Sequence, residues 1–138
     1  MRNERRASRC GQAPVLAVVA LGGALGASAR YGVSVWLPSP AGTFPWSTFT
    51  INVSGCLLIG VLMVLISEVW SAHRLLRPLL DPGVLGGYTT FSTYTVDAPV
   101  LFDGGHTGFG LIYLGVTLVC ALVAVWVGAL LTRWATVR

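Results

Sequence analysis

The residues able to do chemistry in this chain are few, and nearly all of them sit inside apolar sequence. The densest run is Tyr88-Thr89-Thr90-Phe91-Ser92-Thr93-Tyr94-Thr95, preceded at close range by Gly83, Gly86 and Gly87. Ser92 and Thr93 can donate O–H groups, while Phe91 and Tyr94, three apart, share a face wherever the segment is helical. An aromatic ring carries a positive edge in its quadrupole, so ring hydrogens can hold a small anion without a fixed cation. Such holding is weak enough to let the ion leave, as conduction requires. The same rings at helical spacing also serve plain packing, and both readings stand on these residues alone.

Other polar residues are scattered through the apolar sequence. Asn52, in Ile51-Asn52-Val53-Ser54-Gly55, carries an amide with two donors suited to an anion stripped of water. Equally, it can serve as interhelical glue, worth about 0.6 kcal/mol in measured cases. Arg30 lies in the second half of the first apolar stretch, where a charge at a helix centre costs about 2.5–3.5 kcal/mol unless it snorkels. It either raises the potential for an anion in a vestibule or anchors a helix end. Asp97 is an intramembrane carboxylate, a functional candidate that faces a vestibule or pairs with an arginine. Tyr113 and Thr117, four apart, share a helix face and either extend a polar rail or bond between helices.

The elements that must position these groups follow from composition. The chain has 138 residues, 54% of them hydrophobic and 10% charged, with a mean hydropathy of +0.74. That is more apolar surface than a soluble domain of this length can bury, so the bilayer is the expected solvent. About 20 apolar residues cross the hydrocarbon core. Four windows qualify, near 15–36, 46–70, 79–102 and 108–134, predicting an all-α membrane protein of four transmembrane helices. Residues 1–13 read as a basic cytoplasmic arm and 14–138 as the transmembrane domain. The third window contains the glycines and hydroxyls, so it reads as a helix broken mid-membrane. Unwound backbone at that depth is tolerated only where it is buried or lines a polar cavity.

All nine basic residues are arginines. With four spans, one side collects Arg2, Arg5, Arg6, Arg9, Arg74, Arg77, Arg133 and Arg138, and the opposite connections hold none, so both termini are expected in the cytoplasm. Enzyme chemistry has little to stand on. His73 and His106 fall in connections on opposite sides, and Cys10, Cys56 and Cys120 lack metal-ligand spacing. Nucleic-acid binding has no module to carry it. A small proton-coupled multidrug exporter needs a carboxylate in its first span, where this chain has only Arg30. A non-conducting partner subunit is a further alternative.

Gly22-Gly23-x-x-Gly26 with Arg30-Tyr31, then Asn52-Val53-Ser54-Gly55, then Gly86-Gly87-Tyr88-Thr89-Thr90-Phe91-Ser92-Thr93-Tyr94, resemble in order the signature segments of the Fluc (CrcB) family of small fluoride channels. The resemblance implies four-span subunits that pair antiparallel and relieve cytoplasmic fluoride by passive efflux from the cell. It makes Asn52 the pore asparagine and Phe91 the first of two pathway rings, with Ser92 and Thr93 supplying hydroxyls. The second ring is Tyr94 where the family usually has Phe. A structural Na+ at the dimer interface is implied too, held by backbone carbonyls at the positions of Gly86 and Thr89. The arginine bias fixes one orientation, so the antiparallel partner is expected to be a homologous chain inserted the other way. Tagging both termini and mapping their accessibility in cells should find a single, cytoplasmic population; equal populations on the two sides would instead permit a homodimer.

Overall fold

The computed structural model describes residues 2–40, 42–69, 75–103 and 107–136. Helix α1 runs over Arg2–Trp36, without interruption across the expected end of the basic arm, and α2 over Trp46–Val64 with a π-helical turn at Leu65–Val69. The third span is built from pieces: α3 (Leu76–Pro78), a π-helical stretch over Leu79–Leu85, α4 (Gly86–Tyr88) and, after a two-residue break, α5 (Phe91–Asp103). Helix α6, Thr107–Thr136, completes the chain. His73, His106, Arg74 and Arg138 lie outside the described residues, and the side chains of Arg2, Arg5, Arg6 and Arg9 are likewise not described.

Three stretches, Gln12–Trp36, Trp46–Glu68 and Gly108–Thr136, are each long and apolar enough to cross a membrane. They match the first, second and fourth windows read from the sequence. The third window makes its crossing as two helical arms, as expected of a span interrupted by Gly86-Gly87 and a run of hydroxyls. The π-helical stretch has its own cause: Pro82 lacks an N–H and its ring would strike the carbonyl four residues back, and a wider turn relieves both. The large apolar side chains left exposed, among them Leu21, Leu25, Val119, Leu122 and Trp126, belong against lipid.

Small residues set how close the helices come. Helix α1 packs along the first arm of the third span, and α2 packs along α6. A Cβ at Gly22 would lie 2.5 Å from the Leu79 carbonyl oxygen and 2.9 Å from Gly83 Cα, and one at Gly26 would overlap the Val84 carbonyl. Gly22 and Gly26, a GxxxG pair, therefore form a backbone-to-backbone seam, which suits a membrane where dispersion replaces the hydrophobic drive between helices. Gly60 and Gly128 do the same work between α2 and α6, against the carbonyls of Val125 and Leu57. An exposed ion pair, Arg133 to Glu68 at 2.7 Å, joins the ends of those two helices and adds little, about 0–1 kcal/mol.

Because the atoms facing Gly26 are backbone, they cannot yield as a side chain would. Gly26→Val should destabilise the protein by about 3 kcal/mol, the upper end of overpacking costs. Gly32→Ala, which meets nothing within 4 Å, should not. Thermal denaturation in detergent compares the two.

Candidate functional site

The break in the third span lies at Thr89 and Thr90. Thr89 still donates its N–H to the Leu85 carbonyl at 2.9 Å, closing the last helical turn, but its ψ of 155° throws the chain out of the helix. Thr90 then has an N–H without a helical acceptor, and its carbonyl, which as the cap of α5 accepts that helix's first bond, keeps a second lone pair free, in a residue only 6% exposed. Asn52 of α2 answers both. Its Nδ2 donates to the Thr90 carbonyl at 3.0 Å and its Oδ1 accepts the Thr90 N–H at 3.0 Å. The two bonds fix the amide's orientation, since the N–H needs an acceptor and the carbonyl a donor. They also use one of Asn52's two N–H donors, leaving one for a ligand.

The chain restarts as a helix immediately. Thr90 caps α5, its Oγ1 accepting the Thr93 N–H at 3.2 Å and donating to Thr93 Oγ1 at 3.0 Å. Ser92 Oγ joins it at 3.2 Å. The N-terminus of α5, the positive end of its dipole, thus falls mid-membrane beside Phe91. On the other side of the break, Tyr88 OH and Ser54 Oγ share a hydrogen bond of 2.9 Å, a second tie from α2.

A groove of about 210 Å³ follows from this arrangement, lined by Asn52, Thr90, Phe91, Tyr94 and Thr117 with Cys56. Four of the residues singled out in the sequence as anion-path candidates, Asn52, Phe91, Tyr94 and Thr117, meet there, and Thr89 joins them. Phe91 is 79% exposed, and its ring centroid stands 5.8 Å from that of Tyr94. Thr117 Oγ1 is buried and has no hydrogen-bond partner among the described residues. Burying a hydroxyl without a partner is costly, so its setting beside a groove points to a ligand or water.

The other candidates fall nearby but elsewhere. Thr93 lines a cleft of about 330 Å³ with Arg30 and a larger one of about 460 Å³ with Asp97. Ser34, Ser47, Thr48 and Thr93 belong to both clefts, so Arg30 and Asp97 line adjoining spaces. Asp97 accepts the Tyr113 hydroxyl at 3.2 Å and lines the larger cleft. Tyr113 lines none of these spaces; its side chain is fully buried between Tyr94 and Phe44, at ring distances of 5.4 Å each. Ser92 is exposed and reaches only the cap.

Sequence reasoning missed Thr90 and Thr48. Thr90 stands within the quoted run, and its place just before Phe91 is a capping position once the helix start is known. Thr48, 4% exposed between the two vestibules, carries no pattern that marks it in a single sequence.

A broken span inside a four-span apolar bundle, with a largely apolar groove carrying a few hydrogen-bond donors at the break, defines a small multi-pass membrane protein. Residues 17–129 match the model of the CrcB-like family, described as camphor resistance (CrcB), and the chain belongs to that family. Among curated relatives, it is 59% identical over 122 residues to "Fluoride-specific ion channel FluC 1" of Streptomyces coelicolor, covering 88% of this chain and 79% of that one. It is 57% identical over 114 residues to FluC 2 of Streptomyces avermitilis (83% and 72% covered), and 50% identical over 122 residues to FluC 2 of Nocardia farcinica (88% and 87%).

Removing the brace should open the break. Asn52→Leu leaves the buried N–H of Thr90 unpaired at about 1–3 kcal/mol, so hydrogen exchange across 88–91 should rise about tenfold. Ser54→Ala, which loses the Tyr88 tie and a bond to the Thr50 carbonyl within its own helix but leaves the Thr90 backbone paired, should raise it far less. Exchange followed by mass spectrometry measures both.

Proposed function

We propose that this chain is the subunit of a fluoride channel that lowers cytoplasmic fluoride by passive efflux, and that it has no catalytic role. The observation that carries the reading is the groove at the break, lined by Asn52 with one N–H left over, the rings of Phe91 and Tyr94, and Thr117, whose hydroxyl is unpartnered among the described residues. These are all donors of partial positive charge without a fixed cation, which suits a small, strongly hydrated anion that must be stripped of water and then released. The names of the relatives agree with that chemistry.

The groove is open along one side, and Phe91 projects from it, so a second chain is needed to close the path. An antiparallel partner fits, and the arginine bias favours a homologous chain of opposite orientation over a second copy. The same bias puts both termini on the cytoplasmic side of the inner membrane. A structural Na+ at that interface has a fitting donor set. In an unbroken helix the Thr90 N–H would donate to the Gly86 carbonyl, and here it goes to Asn52. That leaves the carbonyls of Gly86 and Thr89, hard oxygen donors, for an alkali cation. Gly86 is itself exposed.

Liposomes containing the chain alone, or with a homologous chain of opposite arginine bias, read by a fluoride electrode with a chloride control, test this reading. Fluoride efflux without chloride efflux is the expected result, strongest or exclusive in the mixed preparation. Phe91→Ala should cut that efflux at least about tenfold, through loss of the ring edge. Absence of fluoride flux from folded protein in both preparations would turn the reading to a non-conducting subunit.

A further inference from the structure

We propose that the hydroxyl of Tyr94 is a tether that positions the second pathway ring, and is not itself a ligand for the anion. The inference rests on the reading of the groove as an ion path. Tyr94 belongs to α5, and its OH donates to the carbonyl of Leu114 in α6 at 2.8 Å. Leu114 lies well inside α6, and a carbonyl oxygen has two lone pairs, so it can accept this bond beside its helical one. A phenol has a single O–H. Bound to Leu114, it has nothing left to donate to a passing ion.

The ring is thereby held at both ends. Its Cβ is fixed by α5, its hydroxyl by α6, and its ring packs at a tilt against the fully buried ring of Tyr113, centroids 5.4 Å apart. Rotation about the ring axis remains possible, but the direction of the axis is set. Phe91 has no such support: it is 79% exposed, and Tyr94 is its ring neighbour among the described residues. Tyr94 is therefore the fixed wall of the groove, a positioning residue for the gap through which the anion passes, and the bond also clasps α5 to α6 beside the break.

The test replaces Tyr94 by Phe, which removes the tether, and by 4-aminophenylalanine, which keeps a para donor able to reach Leu114. Each is reconstituted as in the flux assay, with the fold checked by gel filtration and circular dichroism. For Tyr94→Phe the expected result is a fall of about fivefold in the fluoride-to-chloride permeability ratio, equivalent to one hydrogen bond of about 1 kcal/mol, with half-saturating fluoride unchanged. The amino analogue should restore the ratio. A Tyr94→Phe protein with the ratio of the parent would overturn the proposal. So would a rise in half-saturating fluoride at constant ratio, because that is the signature of a lost ligand. No fluoride flux from the parent protein itself would be the failure of the channel reading, seen before any variant is compared.

Discussion

Everything distinctive in this fold depends on two hydrogen bonds between a side-chain amide and one backbone residue. In lipid, an N–H or carbonyl without a partner costs several kcal/mol, which is why spans are continuous helices. This span is not continuous, and at the break Thr90 presents an N–H with no helical acceptor and a carbonyl with a lone pair left over from its bond to α5. The amide of Asn52 has the donor and acceptor spacing of a peptide group and satisfies both at 3.0 Å. With the break held, α5 can begin mid-membrane under its Thr90 cap, and Phe91 and Tyr94 come to the first turn of a helix beside a groove. With the Thr90 N–H diverted, the Gly86 carbonyl loses its helical donor. One interaction thus shapes both the proposed anion path and the proposed cation site.

Packing makes the break affordable elsewhere in the bundle. Glycines let α1 lie directly on the backbone of the first arm and α2 on that of α6, so the discontinuous span is flanked by a rigid seam on one side and packs its second arm on α6 on the other. Side chains at Gly26 or Gly60 would push those surfaces apart and carry Asn52 away from Thr90. Polar ties at Tyr88–Ser54 and Tyr94–Leu114 then act within a frame already fixed by close contact.

Much of this was legible in the residues. Hydropathy gave the three continuous spans, and the clustering of glycines and hydroxyls in the third window, poor in helix formers, gave its interruption. The groove's members were legible as donors at helical spacing. Their partners were not. That Asn52 braces Thr90 across 38 residues of sequence is a long-range pairing that no local pattern encodes. That Tyr113 is a buried prop for Asp97 while Thr117 opens on the groove depends on which way α6 is turned, and a polar residue every fourth position is compatible with either. The π-helical turns at Leu65–Val69 and Leu79–Leu85 also escaped notice, although Pro82 marks the second once its clash with the preceding turn is considered.

Cys56 offers the most direct test of the central claim that the groove at the break is the ion path, since it lines that groove as a native thiol. With Cys10 and Cys120 replaced by serine, a small maleimide driven to full modification at Cys56 and verified by mass spectrometry should fill the groove. Fluoride efflux from liposomes should then fall at least about tenfold, a group of that size being unable to share the space with a passing ion. Fully modified protein that conducts fluoride at the original rate would contradict the account.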